Sequence, residues 1–252
     1  MQAKKSLGQN WLRSESARHA IIQAAELKAR DKVLEIGPGE GFLTEALLAS
    51  GANVMAIEKD DRLIGLLSTK FSSFLASGQL ELIHGDALNQ PPPADQYKIV
   101  ANIPYYLTGE LLRHFLTHSH QPIQMVLMVQ KEVADRIIAR DGKESLLSIS
   151  VKAYGEPVYV KTVPRGAFSP VPNVDSAILN IKNISRARLN KAEEARFWEI
   201  LHLGFAHKRK LVLKNLDCST AIAELCTISP KARAENLTLK QWLCLTNQPK
   251  LQ

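Results

Sequence analysis

Lys32-Val-Leu-Glu-Ile-Gly-Pro-Gly-Glu-Gly41 is the stretch whose reading decides the fold. An apolar run of strand length breaks into G-x-G-x-G, and Phe42 to Ala49 resumes with apolar residues at helical spacing. The segment therefore predicts a strand, a tight turn and a helix. Glycines in such a turn let the backbone approach a ligand closely, and the spacing is one residue tighter than the dinucleotide pattern G-x-G-x-x-G. Upstream, Ser14 to Leu27 predicts a helix with Ser14 as its cap. Downstream, Asn53 to Glu58 predicts a strand, Asp60 to Leu75 a helix, and Leu80 to His84 and Tyr97 to Asn102 two more strands. Strands alternating with helices imply a parallel, doubly wound sheet.

The pattern continues with a helix over Thr108 to Leu116, a buried strand over Gln124 to Val129, and helices over Lys131 to Ala139 and Ser145 to Ala153. Two late strands, Glu156 to Val163 and Asp175 to Lys182, lie close enough in sequence to predict an antiparallel pair at the sheet edge. That makes seven strands, mostly parallel, in an α/β architecture. After Lys191 only helical patterns remain, over Ala192 to Ala206, Lys208 to Leu216, Ser219 to Cys226 and Thr238 to Leu245. The expected division is an α/β domain over residues 1–184 and a small all-α domain over 185–252.

Composition narrows the function. With 252 residues, 45% of them hydrophobic and 23% charged, the chain has the make-up of a folded α/β domain with an appendage, not of a disordered protein. The net charge of +7 suits a polyanionic partner, because each neutralised phosphate releases condensed counterions. No apolar run reaches the roughly 18 residues of a membrane span, and Met1-Gln-Ala-Lys-Lys-Ser6 leads into no apolar signal segment, so a cytoplasmic protein is expected. Three cysteines, Cys218, Cys226 and Cys244, show no C-x-x-C spacing and read as reduced packing thiols, with neither zinc nor a disulfide expected.

The ends of the predicted strands carry the chemistry. Glu58 closes the strand after the glycine turn, where an acidic side chain accepts hydrogen bonds from two ribose hydroxyls. Nicotinamide enzymes share that position, so turn and acid together leave a nicotinamide cofactor and S-adenosylmethionine both open. Gly85-Asp86-Ala87 follows the third strand, where Asp86 can accept from an adenine amino group, although alone it reads as a cap or turn residue. Asn102-Ile103-Pro104-Tyr105, after the fourth strand, breaks the tie. An exocyclic adenine amine is a poor nucleophile, and an enzyme that methylates it must hold both N–H bonds and stack the base. The Asn102 oxygen and the Ile103 carbonyl supply two acceptors and Tyr105 a flat face, while Pro104 stiffens the turn. Together these positions point to methyl transfer from S-adenosylmethionine to a nucleobase amine.

Three further segments are informative. Lys5-Ser-Leu-Gly-Gln-Asn-Trp-Leu12 either closes over the cofactor's methionine end or merely caps the first helix. Phe168-Ser-Pro-Val-Pro-Asn-Val-Asp-Ser176 is a proline-stiffened loop whose Phe168 either packs in the core or covers the second face of a base stacked on Tyr105. Phe205-Ala-His-Lys-Arg-Lys-Leu-Val-Leu-Lys-Asn215 gathers Lys208, Arg209, Lys210 and Lys214 without an acid, as a solvated helix face or as phosphate contacts that position RNA without reading its sequence.

In this order the segments resemble the ribosomal RNA adenine N6-dimethyltransferase family, and most closely its small-subunit branch, the 16S rRNA dimethyladenosine transferases. The resemblance runs from Lys5 to Leu12 through E-I-G-P-G-E-G, Glu58, G-D-A, N-I-P-Y, Gln130-Lys-Glu-Val133 and F-x-P-x-P-x-V-D-S. It implies a Rossmann-like class I methyltransferase fold and S-adenosylmethionine-dependent N6,N6-dimethylation of two adjacent adenosines in the 3'-terminal hairpin of 16S rRNA during small-subunit assembly. It implies cofactor contacts at Asn10, Leu12, Gly37, Glu58, Asp86 and Asn102, target-base contacts at Asn102, Tyr105 and Phe168, and RNA contacts at Lys208, Arg209, Lys210 and Lys214. No metal is implied. The chain departs from the family pattern at Trp11, where phenylalanine is usual, at Tyr106, where the small-subunit branch has asparagine, and at Asn215, one of a usual asparagine pair.

The implied mechanism is direct in-line transfer without a covalent enzyme intermediate, and a monomer is expected. A 5-methylcytosine enzyme would need a cysteine near the cofactor, and none precedes Cys218. The rival readings are an Erm-like 23S rRNA adenine methyltransferase of macrolide resistance, a non-catalytic ribosome assembly factor and, more distantly, a nicotinamide oxidoreductase.

Overall fold

A single buried strand explains the layering. Gln124–Gln130 (QMVLMVQ) is apolar on both faces, as a strand covered on both sides must be, and Met125 to Val129 are wholly buried. The computed structural model describes residues 8–248 and Leu251, so Lys5 and its neighbours in the opening motif lie outside the described residues. In chain order the elements are β1 (Trp11–Leu12), α1 (Glu15–Ala25), β2 (Lys32–Ile36), α2 (Phe42–Ala49), β3 (Asn53–Glu58), α3 (Asp61–Lys70), α4 (Ser72–Ala76), β4 (Leu80–His84), β5 (Tyr97–Asn102), α5 (Thr108–Thr117), β6 (Gln124–Gln130), α6 (Lys131–Ile138), α7 (Leu146–Lys152), β7 (Glu156–Val163), β8 (Phe168–Ser169) and β9 (Ser176–Lys182). Four helices follow: α8 (Lys191–Phe205), α9 (Val212–Leu216), α10 (Thr220–Leu225) and α11 (Leu239–Thr246).

The chain forms two compact units. One holds the described residues up to Ala134 together with Pro157–Ile184; the other holds Asp135–Glu156 together with the residues from Ser185 onward. The helical unit thus takes in α7, drawn from the middle of the chain, as well as the helices after residue 184.

In the first unit the seven-stranded sheet runs β4-β3-β2-β5-β6-β9-β7. The pairs β2–β3, β2–β5, β3–β4 and β5–β6 are parallel, and β9 runs antiparallel to β6. The expected seven-stranded, mostly parallel α/β sheet is present, with β7 at the edge beside β9. Because the order reverses between β2 and β5, the C-terminal ends of β2, β3, β4 and β5 open a crevice at the switch point, where ligands of such sheets bind. Ile21, Leu47, Leu63, Val100 and Ile178 belong to the apolar cluster that packs helices onto the sheet. Ser14 accepts from the Ala17 amide and caps α1, whose Ala17, Ile21 and Ala25 are buried at helical spacing.

The sheet unit differs from the sequence reading in two places. The helix predicted over Asp60 to Leu75 breaks at Phe71, whose backbone leaves helical geometry (φ −111°, ψ 25°) while its ring is buried. A two-stranded ribbon, β1 with β8, pairs Trp11 with Ser169 and Leu12 with Phe168, a long-range pairing of strands too short to leave a periodic signal.

In the helical unit, Asn190 and Glu193 form a capping box that starts α8. Trp242 is fully buried and stacks on Phe205, with ring centroids 5.4 Å apart. Gly204 permits this closeness, since a Cβ there would come within 2.3 Å of the Trp242 ring. The helix predicted over Lys208 to Leu216 begins only at Val212, so Lys208, Arg209 and Lys210 lie in the turn before α9, exposed, with Lys214 exposed on α9 itself. The expectation of reduced thiols throughout is corrected: Cys226, capping α10, and Cys244, in α11, form a disulfide with Cα atoms 5.6 Å apart, and Cys218 alone is a free thiol. Spacing in sequence carried no sign of this, because the two cysteines meet only when α11 folds back.

Candidate active site

A cleft of about 1120 Å³, counting the part open to solvent, lies in the sheet unit at the strand ends, and residues 8–13, the glycine turn, Glu58, Lys59, Gly85–Leu88 and Asn102–Leu107 line it. Asn10, Leu12, Gly37, Glu58, Asp86, Asn102 and Tyr105 all converge on it. Backbone bonds hold their loops in place: the Gly37 amide donates to the Ile57 carbonyl at 2.9 Å and the Gly85 amide to the Glu58 carbonyl at 2.9 Å.

Glu58 is buried, and its carboxylate is fixed from two sides. One oxygen accepts from the Gly39 amide at 3.0 Å, the other from the Asp60 amide at 2.8 Å. Burial raises its pKa, partly countered by those amides and aided by the nearby Asp60 charge. Asp86 has the opposite environment. Lys59 Nζ donates to it at 2.8 Å and the Leu88 amide at 3.1 Å, and the lysine holds its carboxyl below the usual range against a smaller opposing effect of burial. An ionised acceptor is thus presented to the cleft.

Asn102 ends β5, and its Nδ2 donates to the Asn10 carbonyl at 3.0 Å. That bond occupies the donor end of the amide and orients the side chain, so that Oδ1 is the acceptor it brings to the cleft. Tyr105 is tethered by its hydroxyl to Ser176 Oγ at 2.6 Å, and its backbone carbonyl accepts from Thr108 at 3.0 Å, which fixes the ring at the start of α5. Tyr106, 59% exposed, stands on the rim.

Phe168 is placed differently. It is 3% exposed, belongs to the apolar cluster beside β1 and is not among the residues lining the cleft. Its loop is pinned by the Arg165 amide donating to Asp175 Oδ1 at 2.9 Å. Lys208, Arg209, Lys210 and Lys214 belong to the other unit.

Sequence reasoning passed over Glu35. It lines the cleft, is 1% exposed, and its carboxyl pKa is pushed up to about 8, first by burial and then by repulsion from Glu58. The Thr44 hydroxyl draws it partly back without completing a hydrogen bond, and Glu35 Oε2 has no protein partner. The signal was in view, since an acid inside the otherwise apolar run V-L-E-I, after Lys32, occupies a fully covered strand position. Lys59 and Ser176, which hold Asp86 and Tyr105, left no comparable sign.

Similarity to known proteins agrees with this arrangement. The family model described as ribosomal RNA adenine dimethylase matches residues 1–249. A protein named ribosomal RNA small subunit methyltransferase A from Dehalococcoides mccartyi (strain CBDB1) is 41% identical, covering 97% of this chain and 88% of its own. The protein of the same name from Lactiplantibacillus plantarum is 36% identical, over 98% of this chain and 90% of its own. Among solved structures, a dimethyladenosine transferase from Plasmodium falciparum aligns with a TM-score of 0.76 at 30% identity, covering 93% of this chain and 95% of that one. The 23S rRNA methyltransferase ErmE aligns with a TM-score of 0.79 at 28% identity, covering 94% and 98%. With a family model spanning nearly its whole length and relatives this similar from end to end, the chain belongs to the ribosomal RNA adenine dimethylase family.

Proposed function

We propose that this enzyme dimethylates the N6 amines of two adjacent adenosines in the 3'-terminal hairpin of 16S rRNA during small-subunit assembly, as a cytoplasmic monomer using S-adenosylmethionine. The observation that carries the reading is the Asn102 amide, anchored through its nitrogen to Asn10 so that its oxygen serves as an acceptor in the cleft. Relatives named as small-subunit methyltransferases support the choice of rRNA.

The residues present fit the cofactor. Gly39, in the left-handed region (φ +61°), keeps the turn's surface free of side chain, and a Cβ there would come within 2.9 Å of the Trp11 ring. Glu58 would take the ribose hydroxyls, Asp86 the adenine amine, and Asn10, Leu12 and Gly37 the remaining length. S-adenosylmethionine supplies an electrophilic methyl group on a sulfonium. Asn102 and the Ile103 carbonyl accept the two N–H bonds of the target amine and stabilise the positive charge that develops on nitrogen. Tyr105, locked by Ser176, stacks the base, and positioning does most of the work. Unstacking the adenosine costs about a few kcal/mol, and stacking returns about 1–3 kcal/mol per base. Phe168 would supply the second face after leaving its buried position. Lys208, Arg209, Lys210 and Lys214 would hold rRNA phosphates.

The test is transfer of labelled methyl groups to immature 30S subunits, with 50S precursors and free DNA as controls and mass spectrometry of the digested product. Dimethyladenosine on 30S material alone is the expected result. Product on 23S rRNA would transfer the chain to the Erm-like branch, to which ErmE's structural similarity gives weight. Asn102→Ala that folds and binds RNA but transfers no methyl groups separates an enzyme from a non-catalytic assembly factor, which would keep its biological role.

A further inference from the structure

Tyr106 is the only exposed phenylalanine, tyrosine or tryptophan among the described residues, and it lines the cleft. The other large hydrophobic side chains that are exposed, among them Val158, Val171 and Leu225, are aliphatic and lie outside the cleft. The ring is held at its post. A Cβ on Gly8 would fall 3.0 Å from Tyr106 Cε1 and 3.1 Å from Cδ1, so one edge of the ring rests over the Gly8 backbone, and the missing side chain makes room for it. The chain beneath is fixed as well. Tyr105–Leu107 form one tight 3-10 turn in which the Leu107 amide donates to the Pro104 carbonyl at 3.0 Å, and α5 starts directly after it. A single rigid turn thus carries two aromatics, Tyr105 tethered to Ser176 and Tyr106 with most of its surface open to solvent.

We infer that Tyr106 is a substrate-positioning residue whose ring stacks on the nucleobase adjoining the target adenine in the RNA strand. The inference rests on the proposed function above. When the target leaves its stack, the base beside it loses a partner on one face. A single phosphodiester joins the two nucleotides, so the neighbour stays near the mouth of the cleft while the target lies inside against Tyr105. That mouth is where Tyr106 is exposed. Stacking on an aromatic ring tolerates any base, because every base has a π-face. The same contact therefore serves each of two adjacent adenosines in turn, whatever base flanks it.

Immature 30S subunits reconstituted around 16S rRNA with a synthetic 3'-terminal hairpin allow the base immediately 5' or 3' of a target adenosine to be removed while the backbone stays intact. Single-turnover methyl transfer to that adenosine, with subunits below saturation, is compared for full-length wild type, Tyr106→Phe and Tyr106→Ala. On the complete rRNA, Tyr106→Ala should lower transfer about 5- to 100-fold, and Tyr106→Phe, which keeps the stacking face, should stay within about twofold of wild type. On at least one of the two abasic rRNAs, wild type should fall by the same factor and Tyr106→Ala no further, because the contact is already gone. The same loss from Tyr106→Ala on all three rRNAs would mean that the ring meets something other than a neighbouring base, and no loss on the complete rRNA would mean that it is unused. Calorimetry without RNA provides a further check, since Tyr106→Ala that binds S-adenosylmethionine more weakly would assign the ring to the cofactor; each of these three results overturns the inference. Wild type that transfers nothing to any of these subunits would overturn the proposed function itself, and this contact with it.

Discussion

Replacing Glu35 with glutamine should remove a loss of stability that the wild-type protein suffers as pH rises. The Glu35 carboxyl, buried beside Glu58, keeps its proton to about pH 8, whereas an ordinary glutamate releases it near 4.5. The sign follows from proton counting. Between these values the unfolded chain has lost the proton and the folded chain has not, so the folded state binds more protons and raising the pH favours unfolding. Below about 4.5 both states are protonated and above about 8 both are ionised, so the effect is confined to that window. The gap of about 3.5 pH units, at about 1.36 kcal/mol each, makes the full penalty about 5 kcal/mol, of which about 3–4 kcal/mol develops between pH 5 and pH 8. Glutamine does not titrate, and the raised Glu58 contributes alike to both proteins. Equilibrium urea unfolding of wild type and Glu35→Gln at pH 5, 6, 7 and 8 should therefore show the variant's relative stability climbing by about 3–4 kcal/mol across the series, with unchanged denaturant slopes. Parallel profiles, with a difference constant to within about 1 kcal/mol, would refute the claim that an ionisable group is held neutral at the base of the cleft.

Tyr105→Phe, which removes only the bond to Ser176, should cost about 1 kcal/mol of stability and little methyl transfer, whereas Tyr105→Ala should cut transfer about 5- to 100-fold through lost stacking; thermal melts and single-turnover assays separate the two, and equal losses of transfer in both variants would contradict a stacking role. Gly39→Ala, strained at φ +61° and pressing on Trp11, should weaken S-adenosylmethionine binding at least about tenfold by calorimetry while the strands stay folded by circular dichroism. Cys226→Ser with Cys244→Ser opens a loop closed across 18 residues and should destabilise the helical unit by about 3 kcal/mol in denaturant titrations, and the same loss should follow treatment of wild type with dithiothreitol.

Much of the site was legible because a parallel doubly wound sheet delivers residues at strand ends to one crevice. Once β2, β3, β4 and β5 were recognised, Gly37, Glu58, Asp86 and Asn102 had to converge. The roles of Glu35, Lys59 and Ser176 were not legible in the same way. Glu35 matters because strand β2 is covered on both faces, Lys59 because it reaches Asp86 across 27 residues of sequence, and Ser176 because β9 brings it back to Tyr105 across 71.

By itself the sequence determined the alternation of strands and helices, the glycine turn and the ordered motifs, because periodicity, glycine content and residue chemistry are local properties of the chain. Tertiary structure decided what depends on distant segments meeting. It orients the Asn102 amide through the Asn10 carbonyl and buries Phe168 beside Leu12 in a ribbon too short to read. It turns two cysteines read as free thiols into a disulfide, and it places Lys208 to Lys210 in a turn where a helix was expected. In each case the deciding interaction is a hydrogen bond, a packing contact or a covalent bond between residues far apart in the chain, or a turn set by its surroundings, which no local pattern records.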